Sequence, residues 1–189
     1  MSDRAWRAAL EMVLEHEGGF VIDPDDPGGA TNFGISIRFL RAEIRAGRAL
    51  LADFDIDGDG DLDPADMEGL SREGAAQLYR SAFWDRYALG DLPPILAPKV
   101  FDLAVNMGPR QAFKLLQRAL RAAGAEGVVD DGVIGPLTRA AISEICATAS
   151  AVALIAALRS EAAGFYRALI AAKPRFEKYR RGWLARAYA

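Results

Sequence analysis

The sequence is poor in the residues that most often do chemistry at neutral pH. Cys146 is the only cysteine, which excludes an internal disulfide and a thiolate zinc site. His16 is the only histidine, so a His-rich metal centre is excluded. A Ser-His-Asp or Cys-His mechanism would have to run through His16, and no strand-turn-helix nucleophile motif accompanies it. The longest uncharged run, Ile145–Leu158, has 14 residues, against the roughly 18 or more that span a bilayer, so no stable membrane insertion is expected. The N-terminal stretch MSDRAWRAALEMVLEHEGG lacks a basic region followed by an unbroken apolar one. It does not read as a signal peptide, and work outside the cytoplasm would need another export route.

What is present points to a globular chain. Hydrophobic residues make up 51% and charged residues 26%, the balance of a protein with one sizeable core. No internal repeat, low-complexity tract or Gly/Ser-rich linker divides it, and a monomer is expected. The net charge of −3 conceals an asymmetry. Residues 1–95 carry 9 basic and 19 acidic side chains, whereas residues 96–189 carry 14 and 7, so the two parts suit different electrostatic tasks. A soft boundary between regions 1–95 and 96–189 is placed near Leu92–Pro98. The basic region lacks a glycine-rich RNA motif or an aromatic-interleaved basic array, and bacterial cell walls are also polyanions; nucleic acid is therefore not the expected partner.

Helical periodicity dominates. Trp6, Leu10, Val13 and Leu14 form one stripe of a first helix. Further amphipathic stretches are Ser36–Arg48, Ser71–Tyr87, Pro98–Val105, Arg110–Ala122, Thr138–Ile170 with a break near Gly164, and Lys173–Ala187. Only Phe20–Ile22 and Val128–Val129 read as short strands, so the class is mainly α.

Extending the first stripe by three residues reaches Glu17, after which Gly18 and Gly19 stop the helix. Burial and the negative end of the helix dipole both raise a carboxyl's pKa there, which suits a general acid. Asp26 follows nine residues later and Thr31 fourteen later, in a stretch whose glycines let the backbone fold back. A protonated carboxyl, a second carboxylate and a hydroxyl to hold water make a kit for cleaving a glycosidic bond. Asp23 and Asp25 compete with Asp26 for the second role. A solvated capping glutamate followed by an Asp/Pro/Gly turn is the alternative.

The whole stretch EGGFVIDPDDPGGATNFGIS closely resembles the signature of the family 108 glycoside hydrolases, bacterial and phage muramidases related to secretion-activator proteins. The resemblance continues through LYRSAFWDRY, VFDLAVNMGPRQAFKLLQRAL, DDGVIGPLT and RRGWLARA, covering nearly the whole chain. It implies a lysozyme-like helical fold with a short hairpin after the first helix, cleavage of peptidoglycan, and a catalytic Glu17. The spacing also looks like the active-site hairpin of phage-type lysozymes, although Asp26 and Thr31 are one residue closer than in that pattern. The implied enzyme hydrolyses the β-1,4 bond between N-acetylmuramic acid and N-acetylglucosamine and needs no cofactor for chemistry. It serves as a phage-type endolysin released through a holin pore or as a muramidase of a secretion route, and acts on the wall after release from the cytoplasm. A lytic transglycosylase and a non-catalytic, calcium-dependent wall-binding protein are the alternatives.

A second motif is acidic. From Asp55 to Asp66 the chain reads DIDGDGDLDPAD, placing Asp55, Asp57, Asp59, Asp61 and Asp63 as oxygen ligands of an EF-hand-like loop, with Gly60 at its turn and Leu62 at its apolar position. Asp66 stands where glutamate is usual, which weakens Ca²⁺ binding if only one oxygen reaches the ion. A structural Ca²⁺ is expected; a solvated acidic turn is the alternative.

Tyr79, Phe83, Trp84 and Tyr87 follow helical spacing and read first as core. Trp84 and Asn32 are nevertheless the expected sugar contacts, with Asn106 as either a helix cap or a third contact. Gln117 and DDGVIGPLT resemble helical peptidoglycan-binding modules, a loop leading into a helix. Lys173, Arg175, Lys178, Arg180, Arg181 and Arg186 form a basic end, anchored by Phe176, Trp183 and Leu184 and suited to an anionic wall or simply to solvent.

Overall fold

The computed structural model describes residues 2–16, 18–22, 29–147 and 151–189. Nine α-helices, three 3₁₀ segments, one π-helical turn and one small sheet make up the regular structure of these residues. Two compact units emerge: Val13–Arg80, and the residues up to Met12 together with Ser81–Ala189.

The first helix, α1 (Ser2–His16), carries Trp6 and Ala9 into the core of the larger unit and Val13 and Leu14 into that of the smaller. In the smaller unit, β1 (Val21–Ile22), β2 (Ala30–Asn32) and β3 (Ile35–Ser36) form an antiparallel sheet in chain order. Ser36 then caps α2 (Ile37–Arg45), its hydroxyl accepting from the Phe39 N–H. The acidic loop leads into α3 (Pro64–Gly69), where Asp63 accepts from Ala65 and Asp66 returns the bond to the Asp63 N–H, a capping box with Pro64 in the first turn. Ser71 caps α4 (Arg72–Tyr79) in the same way, through the Gly74 N–H.

In the larger unit a π-helical turn, Arg80–Asp85, buries Phe83 and Trp84. Then come α5 (Ala97–Met107), α6 (Pro109–Ala122), α7 (Pro136–Ala147), α8 (Ala151–Ala172) and α9 (Arg180–Tyr188). Helix α6 buries Phe113, Leu115, Leu116 and Leu120, and α8 buries Leu154, Leu158 and Tyr166, the two helices packing along their apolar faces. Trp6, Phe83 and Trp84 meet Phe101 at centroid distances of 5.6, 6.4 and 5.7 Å in edge-to-face geometry, an aromatic knot at the root of α5.

The mainly helical reading with a hairpin after the first helix is what the structure has. Three local expectations change. Val128–Val129 is loop, since Val128 is buried and its carbonyl accepts from Arg121 instead of a strand. Within the expected stretch 138–170, α8 runs unbroken through Gly164. The last helix is preceded by a 3₁₀ stretch, Pro174–Tyr179, which the proline starts.

Candidate active site

The hairpin that follows α1 is held from below by backbone acceptors and side-chain donors. Asn32 sits at the end of β2, and Phe33 and Gly34 turn the chain with φ of 49° and 76°, as a two-residue hairpin between right-twisting strands requires. The Tyr79 hydroxyl donates to the Phe33 carbonyl at 2.7 Å, and the Asn32 amide donates to the Met67 and Leu70 carbonyls at 2.7 and 3.4 Å. Gly29 enters β2 at φ 74°, where a Cβ would meet Ile37 at 3.0 Å. Thr31 lies between Val21 and Ser36 in register, half-buried, with its hydroxyl 3.4 Å from the Gly29 carbonyl to which it donates. Because side chains alternate along a strand, Thr31 points to the face opposite Ala30 and Asn32, both of which are buried.

Glu17, Asp26 and its competitors Asp23 and Asp25 lie outside the described residues. The connection that carries the three aspartates leaves the sheet at Ile22 and returns at Ala30, which are paired.

Two expected sugar contacts belong to the interior. Trp84 is 2% exposed, with its ring against Trp6 and Phe101 at 5.4 and 5.7 Å, so it offers no face to a pyranose. Asn32 is 4% exposed and its amide is spent on two carbonyls, which leaves it a fastener of the hairpin. Asn106 is half-buried near the end of α5, and its Oδ1 accepts from the Tyr166 hydroxyl at 2.7 Å, tying α5 to α8. The core reading of Tyr79 and Phe83 holds, and half-buried Tyr87 packs edge-on against Phe113 at 5.2 Å.

The acidic loop folds its backbone around its own carboxylates. The two Asp55 oxygens accept from Gly58 and Gly60, Asp57 accepts from Asp59, and Asp59 from Asp61. Gly60 has φ 93°, the sharp turn its position in such a loop demands, and Leu62 is buried. One carboxylate oxygen each from Asp55, Asp57 and Asp59 lies within 4.8 Å of the others, as does one each from Asp61, Asp63 and Asp66. The charge of Asp59, then desolvation and the charges of Asp63, Asp66 and Asp57, push the Asp61 carboxyl up. For Asp57 the largest single influence, the Asp59 N–H bond, is a lowering one, but desolvation and the charges of Asp59, Asp66 and Asp63 together outweigh it and the carboxyl is raised. Asp66 is 1% exposed, and its oxygens accept from Ile56 at 2.6 Å and Asp63 at 2.8 Å. Desolvation pulls its pKa up, but these N–H bonds prevail and hold it below the ordinary value. An all-oxygen donor set with mutual repulsion fits a hard cation such as Ca²⁺.

Two further polar arrangements are buried in the larger unit, the first at a motif the sequence flagged and the second at a residue expected on the surface. Gln117, buried on α6, accepts from the Gly132 N–H through Oε1 at 2.8 Å, while its Nε2 reaches Asp131, the Val133 carbonyl and Thr138 at 2.8, 3.0 and 3.2 Å. That single amide organises the DDGVIGPLT loop, and Gly132 has no room for a Cβ because the Arg110 carbonyl would lie 2.6 Å away. Arg186, expected at the basic surface, is instead buried: its Nε lies 3.3 Å from Asp102, which Lys99 also faces at 3.9 Å, and Lys99 donates to the Arg186 carbonyl. A charged residue cannot be buried without a partner, and the lone aspartate in the apolar stretch KVFDLAVNM was the signal for this cluster. At the start of the DDGVIGPLT loop, hydrogen bonds from Arg118 and Arg121 bring Asp130 down to about 2.

The model of the family described as Glycosyl hydrolase 108 matches residues 10–108, from within α1 through the hairpin, the acidic loop and α5. The chain belongs to glycoside hydrolase family 108. A second model, described as Predicted Peptidoglycan domain, matches residues 111–188. Among solved structures, that of Brucella abortus SagA is similar at 30% identity and a TM-score of 0.73, covering 98% of this chain and 90% of that one. No curated protein matches significantly. The family-108 chain is therefore a glycosidase with a lysozyme-like helical fold, and its second region makes peptidoglycan its partner.

Proposed function

We propose that the protein is an N-acetylmuramidase that hydrolyses the β-1,4 bond between N-acetylmuramic acid and N-acetylglucosamine. Glu17 protonates the leaving glycosidic oxygen, and Asp26 and Thr31 steady the oxocarbenium ion or the attacking water. The observation that carries this reading is the family match over residues 10–108, which contains all three residues in the motif stretch. The register that fixes Thr31 between Val21 and Ser36 supports its part. Residues 1–95 supply catalysis and residues 96–189 supply wall docking. The enzyme acts as a monomer on the wall, in the periplasm or outside the cell, after leaving the cytoplasm through a holin pore or a secretion route.

The loop from Asp55 to Asp66 binds a structural Ca²⁺, which would neutralise carboxylates that otherwise repel one another. The ion fixes the loop ahead of α3 and takes no part in bond cleavage. Calorimetric titration tests it, and absence of Ca²⁺ binding below millimolar concentration contradicts it without touching the hydrolase reading.

The products decide the reaction. Digestion of purified peptidoglycan in H₂¹⁸O should give muramic acid reducing ends carrying one ¹⁸O. Anhydromuramic ends without label would make the protein a lytic transglycosylase, and intact sacculi would make it a non-catalytic binder.

A further inference from the structure

Six of the fourteen residues from Lys173 to Arg186 are basic, against a single acid, Glu177. That acid is committed, since Arg180 donates to its two oxygens at 2.6 and 2.9 Å. Arg186 turns inward to Asp102. Lys173, Arg175 and Lys178 are all exposed, and each lies over an aromatic ring: Lys173 and Arg175 at 5.8 and 5.1 Å from the centre of Phe176, and Lys178 at 5.0 Å from that of Tyr179.

These rings are not loose. Tyr179 stacks on Trp183 at 5.3 Å and 21°, and Trp183 stacks on Tyr166 at 5.2 Å and 28°. The ladder runs from Tyr179, 40% exposed, through half-buried Trp183 to Tyr166, 1% exposed and bonded to Asn106. Phe176 braces it at 5.5 Å from Trp183. Ring faces attract cations, so a ladder anchored in the core holds like charges together at the surface against their repulsion. An arrangement of that kind loses little freedom on meeting an anion, which is what preorganisation contributes to binding.

We propose that this face of the 3₁₀ stretch and α9 is a docking surface for the stem-peptide carboxylates of an uncleaved peptidoglycan strand. The proposal rests on peptidoglycan as the substrate and adds which residues hold the polymer and by which of its groups. Charge complementarity selects the peptides, since the uncharged sugars of the strand offer the cations nothing comparable. The segment lies within the matched peptidoglycan domain, residues 111–188. An anionic membrane is the less favoured occupant, because Phe176 and Trp183 are half-buried and packed against one another, and the exposed ring beside the cations, Tyr179, is stacked on Trp183.

The test is co-sedimentation of the full chain in the cold with three probes: intact sacculi, sacculi stripped of stem-peptide carboxylate charge by carbodiimide coupling to ethanolamine, which leaves the cross-links in place, and phosphatidylglycerol vesicles. The triple variant Lys173→Glu/Arg175→Glu/Lys178→Glu is compared with wild type, and a Lys173→Gln/Arg175→Gln/Lys178→Gln variant guards against misfolding, with thermal unfolding recorded for each. Wild type should bind intact sacculi in a salt-sensitive way and lose about tenfold or more on stripped sacculi. The Gln variant should fall by a similar factor on intact sacculi, and the Glu variant further. A Gln variant that sediments like wild type, wild type that binds stripped sacculi equally well, or tighter binding to vesicles than to sacculi would overturn the proposal. Sedimentation reads binding alone, so wild type that binds as expected but releases no sugar ends contradicts the muramidase reading and leaves this surface standing.

Discussion

The hydroxyl of Tyr79 donates to the carbonyl of Phe33 at 2.7 Å, tying the end of α4 to the tip of the hairpin that carries Thr31. Phe33 is one of two non-glycine residues with positive φ among those described, and the bond satisfies a carbonyl that this conformation turns out of the sheet's ladder. Tyr79→Phe should therefore cost about 1 kcal/mol, the usual net worth of one such bond. Because Thr31 is two residues away, turnover on peptidoglycan should fall by more than the loss of folded protein explains. Thermal unfolding and sacculus clearance, measured side by side, check both statements.

Gln117 gives a second prediction. Gln117→Ala would strand the Gly132 N–H and release the Asp131–Thr138 loop, costing roughly 2–4 kcal/mol for buried polar groups left without partners. A melting temperature lowered by several degrees should accompany it, and Gly132→Ala should do as much through the Arg110 carbonyl. A Gln117→Ala melting curve that overlays wild type would contradict this account of the loop.

The Lys99–Asp102–Arg186 cluster predicts a pH dependence. Burial first, then Arg159 and Arg186, brings Lys99 down from 10.5 to about 8, with Asp102 opposing. Between about pH 8 and 10.5 the unfolded chain holds a proton at this lysine that the folded chain has shed, so unfolding free energy gained from Lys99 rises with pH across that window. Urea titrations at pH 7.5 and 9.5 should show it, and Lys99→Met should flatten the difference. Asp102→Asn, which removes the carboxylate that both buried cations face, should cost about 3–5 kcal/mol.

Asp66 links the acidic loop to α3. Asp66→Asn replaces an acceptor with an amide facing the Ile56 or Asp63 N–H, and should cost about 1–3 kcal/mol. If the loop holds Ca²⁺, wild type should melt higher with calcium than with chelator, and this gain should vanish in Asp66→Asn. Differential scanning calorimetry in both conditions reads both effects.

Much of the helical architecture could be read from residue spacing because stripes such as Trp6, Val13 and Leu14 decide it locally. The sheet beyond β1 could not. Strands of two or three residues show too little alternation, and the turn between β2 and β3 uses a phenylalanine in the left-handed region where glycine or asparagine would have signalled it. Gly164 reads as a breaker, yet neighbours of high helix propensity carry α8 through it. The hairpin was legible through its motif, and Thr31 lies on its central strand. The site was not legible where burial decided, because nothing local tells a sugar-stacking tryptophan from Trp84, whose ring packs on residues far along the chain. Arg186 failed for the same reason: its partner Asp102 lies 84 positions away.

The central claim is that Glu17 is the general acid of a muramidase. The most direct measurement is release of reducing ends from purified peptidoglycan by Glu17→Gln, alongside wild type, with circular dichroism and melting curves to show that the variant is folded. Wild type should liberate muramic acid ends, and the folded variant should lose at least two orders of magnitude in rate, the usual contribution of a positioned general acid. A folded Glu17→Gln protein that cleaves sacculi at the wild-type rate would contradict the claim.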